Sequence, residues 1–315
     1  MFNHKLSELL GVDERSPEDE IKIVHKDLAA SVQRVYEEIL FDILKEVSRD
    51  EKNTNLCLSG GCAYNGSANG KIIDNSKFKH IWIPSAPSDA GSSIGACINY
   101  LMKLEILKDK ITRNPFLGPI YDDDCIKSAL KGHRFRKYSD KELYKTIANE
   151  LTLLKVVGWF QGHAEFGARA LGNRSILADP THSIMKDRLN KLVKRREGFR
   201  PFAPVVIKEK QDKYFEMVDD VPYMNQVVKV KPEYIEKLGA VTHVDGTARV
   251  QTVYKYTKLH NLLLEFEKQR GIPILLNTSL NIKDKTMCLT PEDALEMFYN
   301  CNMDLLVINN YVIYK

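Results

Sequence analysis

Short apolar runs separated by segments of helical period set the tightest limit on what this chain can fold into. Leu56–Leu58, Ile81–Ile83, Leu154–Phe160, Val205–Ile207, Ile274–Leu276 and Leu305–Ile308 read as strands. Between them lie amphipathic stretches. Leu28, Val32, Val35, Ile39, Leu40, Ile43 and Leu44 recur on one face of a helix that runs from an N-cap at Asp27 to about Ser48. Residues 122–131, 140–151, 258–269 and 291–300 read as further helices, the last with Thr290 as N-cap and Pro291 at its first position. Ile184–Arg196 reads as an amphipathic basic helix. Strands, glycine loops and helices in this alternation predict an α/β protein that binds phosphates at its loops. The 315 residues are enough for two domains, and a 43% hydrophobic content supports a sizeable core. Residues 1–20 are polar and read as a loose lead-in. Two prolines and a glycine between Arg113 and Pro119 mark a domain edge, giving domains at 1–112 and 113–315.

Several function classes are disfavoured at once. The chain has no run of about 18 apolar residues that would predict a membrane span, and its first residues lack the apolar stretch of a secretory signal. None of the six cysteines forms a C-x-x-C pair, so reduced thiols and a cytoplasmic location are expected. Cys57 and Cys62 admit a metal site, but burial tendency favours two small buried hydrophobes. A net charge of +4 is too weak to argue for nucleic acid.

What matters is where the charge sits. Residues 158–180, GWFQGHAEFGARALGNRSILADP, carry four glycines and two arginines, Arg169 and Arg174, directly after a strand. Glycines let backbone approach a ligand closely, and arginine's planar fork matches phosphate oxygens. The pattern equally fits a glycine-rich turn with surface arginines. Residues 185–200 carry seven basic side chains against two acidic ones, Lys194 among them. Much of that run is a solvated face. Arg200 differs, because Arg200-Pro201-Phe202-Ala203-Pro204 holds it rigidly beside apolar residues, which suggests a ligand. In residues 242–253, His243 reads as a proton carrier or a structural histidine. Alternation there directs Arg249 and Gln251 to one face of a strand. Asn277, Thr278, Ser279 and Asn281 end an apolar strand, and either bind phosphate or ribose or cap a turn. Nearer the N-terminus, Gly60, Gly61 and Asn65 fit a nucleotide loop. Asp89 precedes a helix, where a carboxylate caps or ligates a metal, capping being the default.

Taken together, HKDLAASVQ, LSGGCAYNG, PSDAGSSIGA, EFGARALGNRS, NKLVKRREGFRPFAP, THVDGTARVQTV and NTSLN resemble, in order, the NodU/CmcH-type carbamoyltransferase family from about His25 to Lys315. The resemblance implies part of an actin-like (ASKHA) α/β domain followed by a YrdC-like mixed-sheet domain. It implies that carbamoyl phosphate and ATP, with Mg²⁺, yield carbamoyl-adenylate, whose carbamoyl group passes to a small-molecule hydroxyl. It assigns Arg169, Lys194, Arg200, Arg249 and Ser279 to carbamoyl phosphate and the nucleotide phosphates, and Asp89 to a metal, with Arg174 and His243 in less defined roles. It also implies that the first half of the actin-like domain, with its histidine pair for a divalent transition metal such as Fe²⁺, is absent, so that either a partner chain supplies it or the chain is a truncated relative that no longer transfers. Two other readings stay open: a threonylcarbamoyl-adenylate synthase of tRNA modification, and a non-catalytic subunit that completes an actin-like domain. Membrane and nucleic-acid partners are not expected.

Overall fold

A computed structural model describes residues 3–16, 18–106 and 114–315. Its strands in chain order are β1 (Asn55–Cys57), β2 (His80–Trp82), β3 (Phe135–Lys137), β4 (Val157–Phe160), β5 (Arg174–Ala178), β6 (Ala203–Ile207), β7 (Phe215–Glu216), β8 (Val227–Val230), β9 (Thr247–Arg249), β10 (Gln251–Val253), β11 (Ile274–Ser279), β12 (Leu305–Ile308) and β13 (Tyr311–Tyr314). They form a parallel pair β1-β2, a mixed eight-stranded sheet in the order β10-β6-β11-β5-β4-β12-β13-β3, and an antiparallel sheet β7-β8-β9. With the helices between them, this is a mixed α/β architecture.

The chain divides into two compact units. The first comprises the residues up to Thr54 together with Ile72–Lys79, and is helical. Its long helix, Ile23–Val47, starts four residues before the expected cap at Asp27, because Lys22 and His25 form a capping box in which the Lys22 N–H donates to His25 Nδ1 at 3.1 Å. The helical period is as read, but its apolar face is not a core face. Only Leu44 of the stripe is buried, while Val32, Val35, Ile39 and Ile43 are each more than half exposed. Periodicity identifies an apolar face; it does not supply the surface that covers it. The lead-in contains a short helix, His4–Leu10, without a buried residue.

The second unit, Asn55–Lys71 with His80–Lys315, carries the large sheet. Strands β4, β5, β6 and β12 are buried at every position, and helices pack on β4, β6 and β12. Lys258–Arg270 packs on Asp140–Thr152, and Pro291–Asn300 packs on β4 and β12. Thr290 caps the last of these through Asp293 N, as its sequence predicts. Three expectations need correction. The strand read from Leu154 begins at Val157, because Leu154 adopts a left-handed φ of 61° where the preceding helix ends. Arg249 and Gln251 do not share a strand: the chain breaks at Val250, so that β9 joins the three-stranded sheet and β10 the eight-stranded one. The basic helix is α-helical only over Ile184–Arg188, then widens into a π turn, Leu189–Lys194, closed by Arg195 at φ 50°.

The domain edge expected between 112 and 113 lies outside the described residues. Cys57 and Cys62 are exposed, against the expectation that both are buried. Among the described residues no helix is long and apolar enough to cross a membrane.

Candidate functional site

The loop from β4 to β5 is built on one carboxylate. Glu165 is buried, and its Oε1 accepts the backbone N–H groups of Leu171, Asn173 and Arg174 at 2.7, 2.8 and 3.2 Å. Three charge-assisted bonds to one atom fix the curl of residues 166–170. Gly167, at φ +139°, lies so close to Ser85 that a Cβ there would stand 2.5 Å from its carbonyl oxygen. Arg174 belongs to this scaffold and not, as expected, to a ligand site. It is 0% exposed, stacks 3.5 Å from the Phe160 ring centroid, and donates to the carbonyls of Gln161, Asn173 and Gly162. Burial lowers its pKa to about 10. Asn277 is likewise structural: its Nδ2 donates to Gln251 Oε1 at 2.7 Å and to Ala170 O at 3.3 Å, pinning the loop to β11.

Arg169, Arg249 and Arg196 share one field on this scaffold. Arg169 lies over the Tyr64 ring at 5.7 Å, and burial lowers its pKa. Arg249, at the end of β9, is driven to about 9 by burial, then by the positive charges of Arg169 and Arg196. The Nε atoms of Arg169 and Arg249 are buried and have no hydrogen-bond partner among the described residues. Arg196 is a functional candidate that sequence reasoning missed. Its Nε donates to Asn190 Oδ1 at 2.7 Å, its guanidinium lies 4.8 Å from the Phe202 ring centroid, and burial lowers its pKa to about 10. Within a run of seven cations nothing marked it. The signal was the rigid aromatic at Phe202, which was credited to Arg200. Arg200 itself is exposed and ion-paired with Glu197 at 2.8 Å, so the expectation of an apolar setting for it fails.

Lys194 ends the π turn only 3% exposed. Its Nζ donates to Ser279 O at 2.9 Å, Ser279 Oγ at 3.2 Å, Asn281 O at 2.7 Å and Asn281 Oδ1 at 2.5 Å. Burial, and next Arg196, lower its pKa to about 7. The structure thus brings Lys194, Ser279 and Asn281 together. Thr278 lies on the same strand, paired with Ile176.

His243 is also tuned. Burial first, then Arg249, lower its pKa, against the opposing pull of Asp245. Thr247 Oγ1 gives its proton to Asp245 Oδ1 at 2.6 Å, so His243 Nδ1, 3.0 Å from Thr247 Oγ1, donates to it. The unprotonated Nε2 is buried without a partner among the described residues, and is available as a base.

The N-terminal candidates contribute backbone shape. Gly60 takes φ 101° and donates to Pro87 O, and Asn65 Oδ1 caps a short helix at Ala68 N. Gly61 opens the turn that ends at Tyr64, beneath Arg169. Asp89 is exposed in the first turn of Asp89–Lys103, where the helix dipole favours a carboxylate. Among the described residues no three His, Cys, Asp or Glu side chains group as metal ligands. The arrangement suits polyanions: three desolvated guanidiniums, two of them with an unpartnered Nε, and a lysine stand beside a neutral histidine.

Residues 148–315 match the family model described as Carbamoyltransferase C-terminus, and residues 3–98 the one described as Carbamoyltransferase N-terminus. An uncharacterized protein of Synechocystis is 39% identical over 100% of this chain and 56% of its own length. Nodulation protein NolO of Bradyrhizobium diazoefficiens is 38% identical over 92% of this chain and 55% of its own. The chain therefore spans about half the length of these curated relatives. A full-length HypF crystal structure in phosphate- and nucleotide-bound form superposes with a TM-score of 0.39 at 19% identity, covering 68% of this chain and 33% of that one.

Proposed function

We propose that this chain, which belongs to the carbamoyltransferase family, activates carbamoyl phosphate with ATP at the Arg169–Lys194–Arg196–Arg249 cluster of a YrdC-like domain. The observation that carries the reading is the convergence of Arg169, Arg196 and Arg249 with the buried Lys194 that Ser279 and Asn281 hold, a cluster in which the Nε donors of Arg169 and Arg249 are also buried and unpartnered. Buried donors without acceptors are costly, and a phosphate oxygen relieves both.

In this reading water displaces phosphate from carbamoyl phosphate, giving carbamate and inorganic phosphate. A carbamate oxygen then attacks the α-phosphorus of ATP, forming carbamoyl-adenylate as pyrophosphate leaves. His243 Nε2 accepts the proton of the attacking water. The guanidiniums and Lys194 offset the charge on the departing groups, so catalysis is largely positioning and electrostatic stabilisation. Ser279 and Asn281 hold Lys194 in place, and Arg200 extends the positive field outward. Mg²⁺ travels with the ATP phosphates. Asp89 would be one ligand of a divalent metal; among the described residues no three His, Cys, Asp or Glu side chains group to complete such a site. Transfer of the carbamoyl group to a small-molecule hydroxyl belongs to the activity of the whole protein; the curated relatives span about twice this length.

The test is ATP–pyrophosphate exchange. Exchange that depends on carbamoyl phosphate, and falls about 10²–10³-fold in Arg249→Ala, supports the reading. Exchange driven by threonine plus bicarbonate instead would overturn it, as would an Arg249→Ala protein that exchanges like the parent.

A further inference from the structure

Arg169 is held differently from its neighbours in the cation cluster. Lys194 is fixed by hydrogen bonds to Ser279 and Asn281, and Arg196 by one to Asn190. Arg169 makes no hydrogen bond or ion pair among the described residues, and its guanidinium lies instead over the Tyr64 ring, 5.7 Å from the centroid. A long side chain held by nothing keeps its rotamer freedom, and an anion would have to freeze it on binding. An aromatic face attracts the cation and restricts its plane without using any N–H donor. The Nε of Arg169 is shut in, but its terminal nitrogens are not among the buried orphan atoms, so an anion can reach them.

Tyr64 is a firm platform because its segment is locked in place. It ends the turn Gly61–Tyr64, which Asn69 pins: that residue is fully buried, and its Nδ2 donates to Ala63 O at 2.8 Å and to Asn225 O at 2.7 Å. Next to it, Gly70 lies so close to β8 that a Cβ there would stand 1.8 Å from Val227 O. Val227 is the cross-strand partner of Arg249. One short segment, distant from every cation in sequence, therefore rests on the strand pair that carries Arg249 and sets its ring against Arg169. The glycine-rich stretch that reads in the sequence as a nucleotide loop thus bears on the anion site.

We propose that Tyr64 is a positioning residue of the anion site, holding Arg169 through its ring face so that the terminal nitrogens meet a phosphate. The proposal deepens the activation reading and rests on it for the identity of the anion. The experiment is titration calorimetry of the full chain with pyrophosphate. Tyr64→Phe keeps the ring face and should bind within about twofold of the parent. Tyr64→Leu should bind about fivefold more weakly. In an Arg169→Met background the same change should have no effect, because Tyr64 acts through Arg169. Fluorinated phenylalanines installed at position 64 keep the shape of the ring and weaken its negative face, so affinity should fall with each added fluorine. That series decides the matter if Tyr64→Leu fails to fold. The Arg169 Hε resonance reads the contact without any anion; it should lie upfield in the parent and lose that shift in Tyr64→Leu. A parent with the shift but no affinity for pyrophosphate would overturn the activation reading while supporting the contact. An unshifted resonance, an equal loss of affinity in both backgrounds, or an affinity indifferent to fluorination would each overturn the proposal.

Discussion

Replacing Arg249 with methionine should make the free protein more stable while disabling it. The site pulls the Arg249 pKa from 12.5 to about 9 through burial and the repulsion of Arg169 and Arg196. Keeping the guanidinium charged there costs on the order of 5 kcal/mol before any screening. The side chain is only partly buried, so screening absorbs part of this, and a net gain of about 1–3 kcal/mol is expected. Methionine matches the aliphatic stem and leaves no buried donor. In a chain of 315 residues this is a rise in Tm of roughly 2–5 °C. The sign reverses when an anion is bound. Pyrophosphate at a hundred times its Kd adds about 2.7 kcal/mol to the parent protein, and the variant should lose most of that increment. Thermal unfolding with and without pyrophosphate measures both numbers. A variant that melts below the parent without anion, or is stabilised equally by it, would refute the electrostatic account.

Lys194 gives opposite pH trends for folding and for binding. Its pKa of about 7 in the folded chain lies below the usual lysine value, so its cost to folding is fully present below pH 7 and disappears as pH rises toward about 10. Pyrophosphate affinity should instead fall above pH 7, approaching about tenfold per pH unit, and calorimetry on Lys194→Met should show that slope flattened. Gly167→Ala should destabilise by about 1–3 kcal/mol, because φ +139° strains a Cβ that also meets the Ser85 carbonyl. Gly172→Ala should cost less, since its Cβ would meet the movable Leu259 side chain; equal melting losses would contradict this.

The sequence made much of the sheet legible where burial was complete and polar atoms few. β12 and the helix Pro291–Asn300 fall where their apolar patterns place them. β5 was missed because RSILA begins with an arginine and a serine, residues that single-sequence reasoning assigns to loops. They are tolerated at the strand start because Arg174 finds carbonyls in the neighbouring glycine loop. The exposed stripe on Ile23–Val47 shows the reverse failure, a clear pattern with nothing packed on most of it. For the candidate site, residue types were readable and convergence was not. Arg196 and Arg200 are indistinguishable as letters, and only the left-handed turn at Arg195 determines which of the two reaches Phe202.

That turn follows from the π segment, and it sets the segment's tolerance to evolutionary change. A π turn closes its ring with one more residue than an α turn. Deleting a single residue between Leu189 and Lys194 would let the helix run on regularly, rotating all that follows by about 100° and carrying the terminal ammonium away from the Ser279 carbonyl. Lys191 and Leu192 face solvent and can vary freely in kind. Their number cannot vary, so homologues should differ here by substitution and almost never by insertion or deletion.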